Sequence, residues 1–175
     1  LAGAALVAVA GFGPAPEAKP SSLVLQVAGK GEIVIQLRED KAPLACAHVS
    51  KLAERGFYDG QRFFRVAKEP RPYLIQFGDP ATKTRPIGDP SLGKGGSGAR
   101  IPYEDSGLPN VEGAVGLSAQ PGDRDSGDSQ FYILLAPARF LDGSYTVFGN
   151  VTKGMDVVKS VELGDQVTSV RFVRG

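Results

Sequence analysis

From residue 23 to residue 173 the chain is a succession of short apolar runs bounded by Gly, Pro, Asn or Asp, and only two stretches carry a helical period. That pattern constrains the fold more than any single motif. Strand patterns fall at 23–27 and 32–37, a hairpin turning at 28–31, then at 62–66, 74–77, 114–118, 131–135, 146–151 and 166–173. One helical stretch is "DKAPLACAHVSKLAERG": Asp40 can cap it, Pro43 is tolerated in the first turn, Leu44, Val49, Leu52 and Ala53 form an apolar stripe, and Gly56 stops it. The other is the short "KGMDVVKSV". Eight strands and two helices, without the regular strand-helix alternation of a parallel sheet, suggest an antiparallel arrangement. The expectation is an all-β (mainly β) fold, an eight-stranded antiparallel closed β-barrel capped by two α-helices. The many large apolar strand residues point to a packed interior, against the hollow barrel of a small-ligand carrier.

One domain accommodates a chain of 175 residues. Residues 1–22 read as a signal-peptide remnant and Pro-rich arm, and 23–175 as the folded domain. "LAGAALVAVAGFG" is small, apolar and uncharged, and "AVA" at 8–10 has the form of a cleavage site. This segment is too short to span a bilayer, and "LAGA" lacks the Cys a lipid anchor requires. The expectation is export to the periplasm without a membrane anchor, or a cytoplasmic protein if the segment is not a signal remnant. "GPAPEAKPSS" follows as an extended linker.

The net charge of +1, from 20 Lys and Arg against 19 Asp and Glu, gives no footprint for nucleic acid or an anionic membrane. A single Cys46 excludes an internal disulfide, and a single His48 leaves no zinc ligand set, so neither a metal nor a cofactor is expected. "GDPSLGKG" approaches a phosphate-binding loop but ends in Gly95 where a hydroxyl must reach magnesium. "GDRDSGDS" lacks the spacing of a calcium loop and reads as solvated. His48 reads as a surface or capping side chain, and Cys46 as buried packing.

Two polar side chains sit oddly in apolar runs: Arg65 between Phe64 and Val66, and Gln76 between Ile75 and Phe77. Period-two geometry puts Leu74 and Gln76 on one face, Gln130, Tyr132 and Leu134 on another, and Phe63 with Arg65 on a third. Faces meeting this way make an apolar recess edged by one guanidinium and two amides, in which nothing titrates near neutrality. That suits a neutral peptide better than acid–base chemistry.

"KAPLACAHVSKLAERGFYDGQRFFRV", "YLIQFGDP", "GLSA", "SQFYILLAPARFLDG" and "YTVFGNVTKGMDVV", in that order, resemble the cyclophilins, a family of peptidyl-prolyl cis-trans isomerases, over about residues 23–172. "IPYED" followed by "EGAVGLSA" is most similar to the bacterial branch. The resemblance implies an isomerase that rotates X–Pro bonds in flexible or unfolded proteins, assists folding and needs no cofactor. It implies Arg65 and Gln76 as catalytic residues. It also implies a substrate-binding set of Phe64, Tyr73, Leu74, Gln120, Gln130, Tyr132, Phe140, Leu141 and Tyr145. The implied partners are proline-containing peptides and unfolded proteins. A second reading on the same barrel is a proline-peptide-binding chaperone or assembly module without turnover.

This chain departs from the family pattern at several points. Phe64 stands for a histidine, Tyr132 for a phenylalanine, Phe140 for a tryptophan, and Tyr145 where many members have histidine. "AKEPRP" makes the link from Arg65 to Tyr73 about three residues longer, which bears on where Tyr73 aims. Beside Gln120, Pro121 cannot donate an N–H. Gly13-Pro14 and Ala15-Pro16 are X–Pro bonds on a tethered arm, so self-contact of that arm with the groove of a neighbouring molecule is a further expectation.

Overall fold

The structure, a computed structural model, describes residues 19–175. The expected signal remnant and the X–Pro bonds of the arm lie outside the described residues. Eight strands form one antiparallel sheet: β1 (Ser22–Val27), β2 (Gly31–Leu37), β3 (Arg65–Ala67), β4 (Leu74–Phe77), β5 (Ala114–Leu117), β6 (Phe131–Leu134), β7 (Val147–Lys153) and β8 (Val167–Val173). Their order is β3-β4-β6-β5-β7-β2-β1-β8.

Alternation decides what the barrel encloses. Leu23 and Leu25 on β1 face Ile35 and Ile33 on β2 in register, and all four are fully buried. Tyr58, Phe63, Phe77, Phe131 and Phe148 fill the centre; Phe77 and Phe131 stand edge to face at 4.7 Å between centroids, and Phe63 lies 5.1 Å from Phe77. The interior is therefore packed, and a carrier cavity is ruled out. The Tyr58 hydroxyl donates to the Ser129 carbonyl at 3.0 Å, and full burial pushes its pKa well above the ordinary value.

The sheet closes where its edge strands approach, through a single bridge between Arg62 and Gln166. The Val167 N–H donates to Gln61 O at 2.8 Å, and the Phe63 N–H donates to Asp165 O at 3.0 Å. The run expected as one strand over 62–66 is thus divided. Its first residue closes the barrel against the start of β8, two irregular residues follow, and β3 then pairs with β4. This corrects one expectation: Phe63 is fully buried in the core while Arg65 is exposed on the outer wall, so the two do not share a face.

Helix α1 (Pro43–Glu54) packs across β7 and β8, burying Ala45, Cys46, Val49, Leu52 and Ala53, and α2 (Met155–Ser160) packs on β2. Cys46 donates its thiol to Phe148 O at 3.3 Å, and desolvation pushes its pKa up to about 12, consistent with packing. Gly56 stops α1 in a left-handed conformation, at φ 67°. Leu44 does not join the apolar stripe; it is 49% exposed. Nor does Asp40 cap, because its carboxylate is held in a bidentate pair by Arg38, both bonds 2.9 Å. The cap comes from Glu104, whose two oxygens accept from the N–H groups of Leu44 and Ala45 at 3.0 and 2.8 Å. Glu104 is itself fixed by its N–H donating to Thr146 Oγ1 at 2.9 Å.

Glu104→Ala should therefore lower the free energy of unfolding by about 1 kcal/mol, the usual cost of a lost helix cap. Urea titration beside the wild type reads this directly; an unchanged midpoint would show that water replaces the carboxylate at no cost.

Candidate active site

Four cross-strand partners form one row on the outer wall: Arg65 on β3, Gln76 on β4, Tyr132 on β6 and Gly116 on β5. The polar members are wired in sequence. Arg65 Nη1 donates to Gln76 Oε1 at 3.3 Å, Gln76 Nε2 to Gln130 Oε1 at 3.0 Å, and Gln130 Nε2 to Gly95 O at 2.7 Å. Both glutamines are 8% exposed, so their orientations are set by these bonds. Gly78 lets them meet: at φ 109° it lies against the backbone of Ser129 and Gln130, and a Cβ there would collide with both.

The apolar side of the groove has Tyr132 as its floor. Its ring lies over Gly116, where a Cβ would overlap it. The hydroxyl departing from the family pattern is occupied: it donates to Asn110 Oδ1 at 2.6 Å, and desolvation raises its pKa. Asn110 in turn donates to Asp142 Oδ1 through its backbone N–H (2.8 Å) and its side chain (3.0 Å), and Arg139 Nε donates to the other oxygen. The Asn110 backbone bond, with Arg139 and the Asn110 side chain, lowers the Asp142 pKa from 3.8 to about 2. Leu74, Tyr132 and Leu141 belong to one buried apolar cluster, with Tyr73 and Tyr145 packed against it. Tyr73 does reach the groove. The loop lengthened by "AKEPRP" is closed by the Tyr73 N–H donating to Ala67 O at 2.9 Å, and the Tyr73 ring centroid lies 5.8 Å from the Arg65 guanidinium carbon.

The opposite wall is polar and held by two carboxylates. Asp79, fully buried, accepts from the N–H groups of Ala81, Gly93 and Gly95 at 2.9, 2.7 and 3.1 Å. The phosphate-loop look-alike "GDPSLGKG" thus turns its N–H groups on an anion of the protein itself. Asp128 accepts from the Ser97 hydroxyl, from Gly98 N–H at 2.9 Å, and lies 3.3 Å from His48 Nε2. Two expectations change here. "GDRDSGDS" is not merely a solvated loop: Asp123 also caps a short 3₁₀ turn, and Asp125 accepts from Tyr103 N–H at 2.8 Å. His48 is a part-buried partner of Asp128 instead of a surface side chain.

The resulting cavity measures about 280 Å³. It gathers Arg65, Tyr73, Leu74, Gln76, Gln120, Gln130, Tyr132, Leu141 and Tyr145 from the expected set, and leaves out two. Phe64 lies with its ring against Gly93, behind the lining, and Phe140, 75% exposed, stands outside the lining with its ring 5.8 Å from that of Tyr73. Gln120 lines the wall, but its N–H is taken by Ser126 Oγ at 2.6 Å, so with Pro121 beside it two successive backbone donors are withheld from a ligand. Lys94, Arg100 and Asp128 also line the cavity. Sequence reasoning missed these three, together with Asn110 and Asp79. The glycines around Lys94 were a usable signal, since Gly95 and Gly96 have no room for a Cβ against Asp79 and Asp128.

Chemically, the groove presents an oriented guanidinium beside a buried apolar and aromatic floor. Among the described residues no group of three or more His, Cys, Asp or Glu is placed to hold a metal ion, and no helix is long and apolar enough to cross a membrane. A sequence model of the family "Cyclophilin type peptidyl-prolyl cis-trans isomerase/CLD" matches residues 22–174, so the chain belongs to that family. A "Peptidyl-prolyl cis-trans isomerase-like 1" from Rhizopus delemar is 39% identical over 137 residues, covering 76% of this chain and 75% of that protein. A "Probable peptidyl-prolyl cis-trans isomerase" from Brucella suis is 35% identical over 171 residues, 95% of this chain and 85% of its own. A crystal structure of a cyclophilin type peptidyl-prolyl cis-trans isomerase from Cryptosporidium parvum, determined in the presence of the dipeptide Ala-Pro, superposes with a TM-score of 0.74. At 19% identity, over 88% of this chain and 99% of that one, it shares the fold.

The Asp142 carboxylate titrates lower in the folded chain than in the unfolded one. Its stabilising effect is therefore present above pH 3.8 and is lost as pH falls from there through about 2. Asp142→Asn should flatten the acid limb of the stability profile over that window, read from thermal midpoints measured at each pH. An acid limb as steep as wild type would mean that the Asn110 and Arg139 contacts do not persist in solution.

Proposed function

We propose that Arg65 performs the isomerisation, with Gln76 aiming it and the Tyr132 floor holding the proline ring. Amide resonance sets a barrier of about 20 kcal/mol to rotation about an X–Pro bond. A pyramidal proline nitrogen, with its lone pair withdrawn from the carbonyl, lowers that barrier. A guanidinium beside the nitrogen donates a hydrogen bond to the freed lone pair, an interaction stronger in the twisted state than in either planar one. The observation that carries the reading is the wired row from Arg65 through Gln76 and Gln130 to Gly95, set against an apolar floor. One guanidinium nitrogen is spent on Gln76, leaving donors for the substrate. Because the orientation is paid for in the fold, little ordering is left to the reacting complex. The Ala-Pro dipeptide accompanying the Cryptosporidium parvum structure supports a proline-containing peptide as the ligand.

Arg65→Ala should lower kcat/KM on a short Ala-Pro peptide by about 100-fold, the usual cost of losing an oriented donor. A guanidinium stays charged throughout the accessible range, so the wild-type rate should vary by less than about three-fold between pH 6 and pH 9. Full activity in Arg65→Ala would defeat the mechanism. Tight peptide binding without turnover, unaffected by that substitution, would favour the chaperone module, which the withheld donors at Gln120 and Pro121 support.

We also propose that the protein is exported, on the strength of the uncharged apolar stretch at residues 1–13 and its "AVA" site. Fractionation of cells expressing the natural gene should recover it outside the cytoplasm, cleaved near residue 10; recovery of an uncleaved cytoplasmic protein would refute this.

A further inference from the structure

Cations outnumber carboxylates in the lining of the groove. Besides Arg65, its lining includes Lys94 and Arg100, against Asp128 as the one lining carboxylate. Asp128 is already engaged by Ser97, Gly98 and His48. The Lys94 ammonium has no hydrogen-bond or ion-pair partner among the described residues, and the Arg100 guanidinium pairs only with Asp123, at 3.5 Å with both side chains more than half exposed. Such a contact is readily exchanged for another carboxylate. The net charge of the whole chain is only +1, so this concentration of cations is local.

The wall that carries Lys94 is also rigid. Its neighbours Gly93 and Gly95 both donate their N–H groups to buried Asp79, and Ser97 and Gly98 are clamped by Asp128. Gly95 and Gly96 cannot carry side chains without striking those carboxylates. Lys94 is therefore presented from a fixed backbone, and binding there orders one side chain and no loop.

We propose that this wall selects substrates with an acidic side chain on the N-terminal side of the proline, centred two residues before it. The proposal rests on the isomerase reading above. With the proline ring on the Tyr132 floor and its nitrogen beside Arg65, the chain leaving that nitrogen runs off the apolar floor along Gln76, Gln130 and Gly95. Lys94 precedes Gly95 in the chain and Arg100 lines the same cavity, so a peptide taking this course would come within reach of both cations. The chain leaving the other side of the proline would then turn toward the Tyr73 and Phe140 rings, away from Lys94 and Arg100.

The test uses the full-length protein and three peptides identical except for Glu, Gln or Lys two residues before an Ala-Pro-type bond, plus a pair with Glu or Lys two residues after it. At low salt kcat/KM should favour Glu over Lys by about five-fold, shrinking toward equality in about 0.5 M salt. The Glu-to-Lys ratio, which cancels any general loss of activity, should invert in Lys94→Glu/Arg100→Glu. Equal rates for Glu and Lys, a preference surviving in the double variant, or an equal preference after the proline would each overturn the proposal. Should even the Gln peptide not be turned over, the isomerase reading fails separately; fluorescence anisotropy of the same labelled peptides then decides whether the wall still prefers the acidic one.

Discussion

The short segment around Arg62 has to satisfy two demands that conflict within a regular strand. It must close the barrel against Gln166, and it must deliver Arg65 to the outer wall beside Gln76. A strand in strict alternation would put Phe63 and Arg65 on the same side, drawing the guanidinium into the aromatic core or expelling the ring from it. The irregular pair of residues between the bridge and β3 resolves this. Phe63 then packs on Phe77 inside, while Arg65 bonds Gln76 outside. The barrel's closure and the position of the groove's guanidinium are thus two results of one local break in register.

Carboxylates do most of the long-range fastening. Glu104 holds the N-terminus of α1, Asp79 gathers the glycine-rich wall, Asp128 clamps its far end, and Asp142 anchors the floor through Asn110. Each accepts several N–H or O–H groups from loops distant in sequence, which is the economical way to satisfy backbone donors that no strand or helix pairs. The apparent anion-binding loop is the clearest case, since the anion was supplied within the chain. These fastenings leave the glycine-rich wall fixed beneath the exposed Lys94 side chain.

Local periodicity made much of this legible in the sequence. The eight strand runs, the hairpin at 28–31, and the shared face of Leu74 with Gln76 depend on neighbours within one strand, which alternation reports faithfully. Phe63 with Arg65 misled because alternation says nothing about where a strand is interrupted. Asp40 misled for a related reason: it is adjacent to α1, but Arg38 competes for it, while the actual cap arrives from 60 residues away. Phe64 and Phe140 were transferred by position in a motif, and side-chain direction does not follow from position alone. Asn110 carried no local signal, because its meaning depends on a hydroxyl brought to it by another strand.

The row of amides running from Arg65 to Gly95 has a polarity. Arg65 can only donate, and the Gly95 carbonyl can only accept, so each glutamine between them must turn its oxygen toward Arg65 and its nitrogen toward Gly95. Neither amide can flip alone without setting donor against donor or acceptor against acceptor. A glutamate at either position, though the same shape, would lose the forward donor and break the row. The two ends therefore hold the middle in a single state, and the groove presents at Arg65 one electrostatic face and no mixture of two.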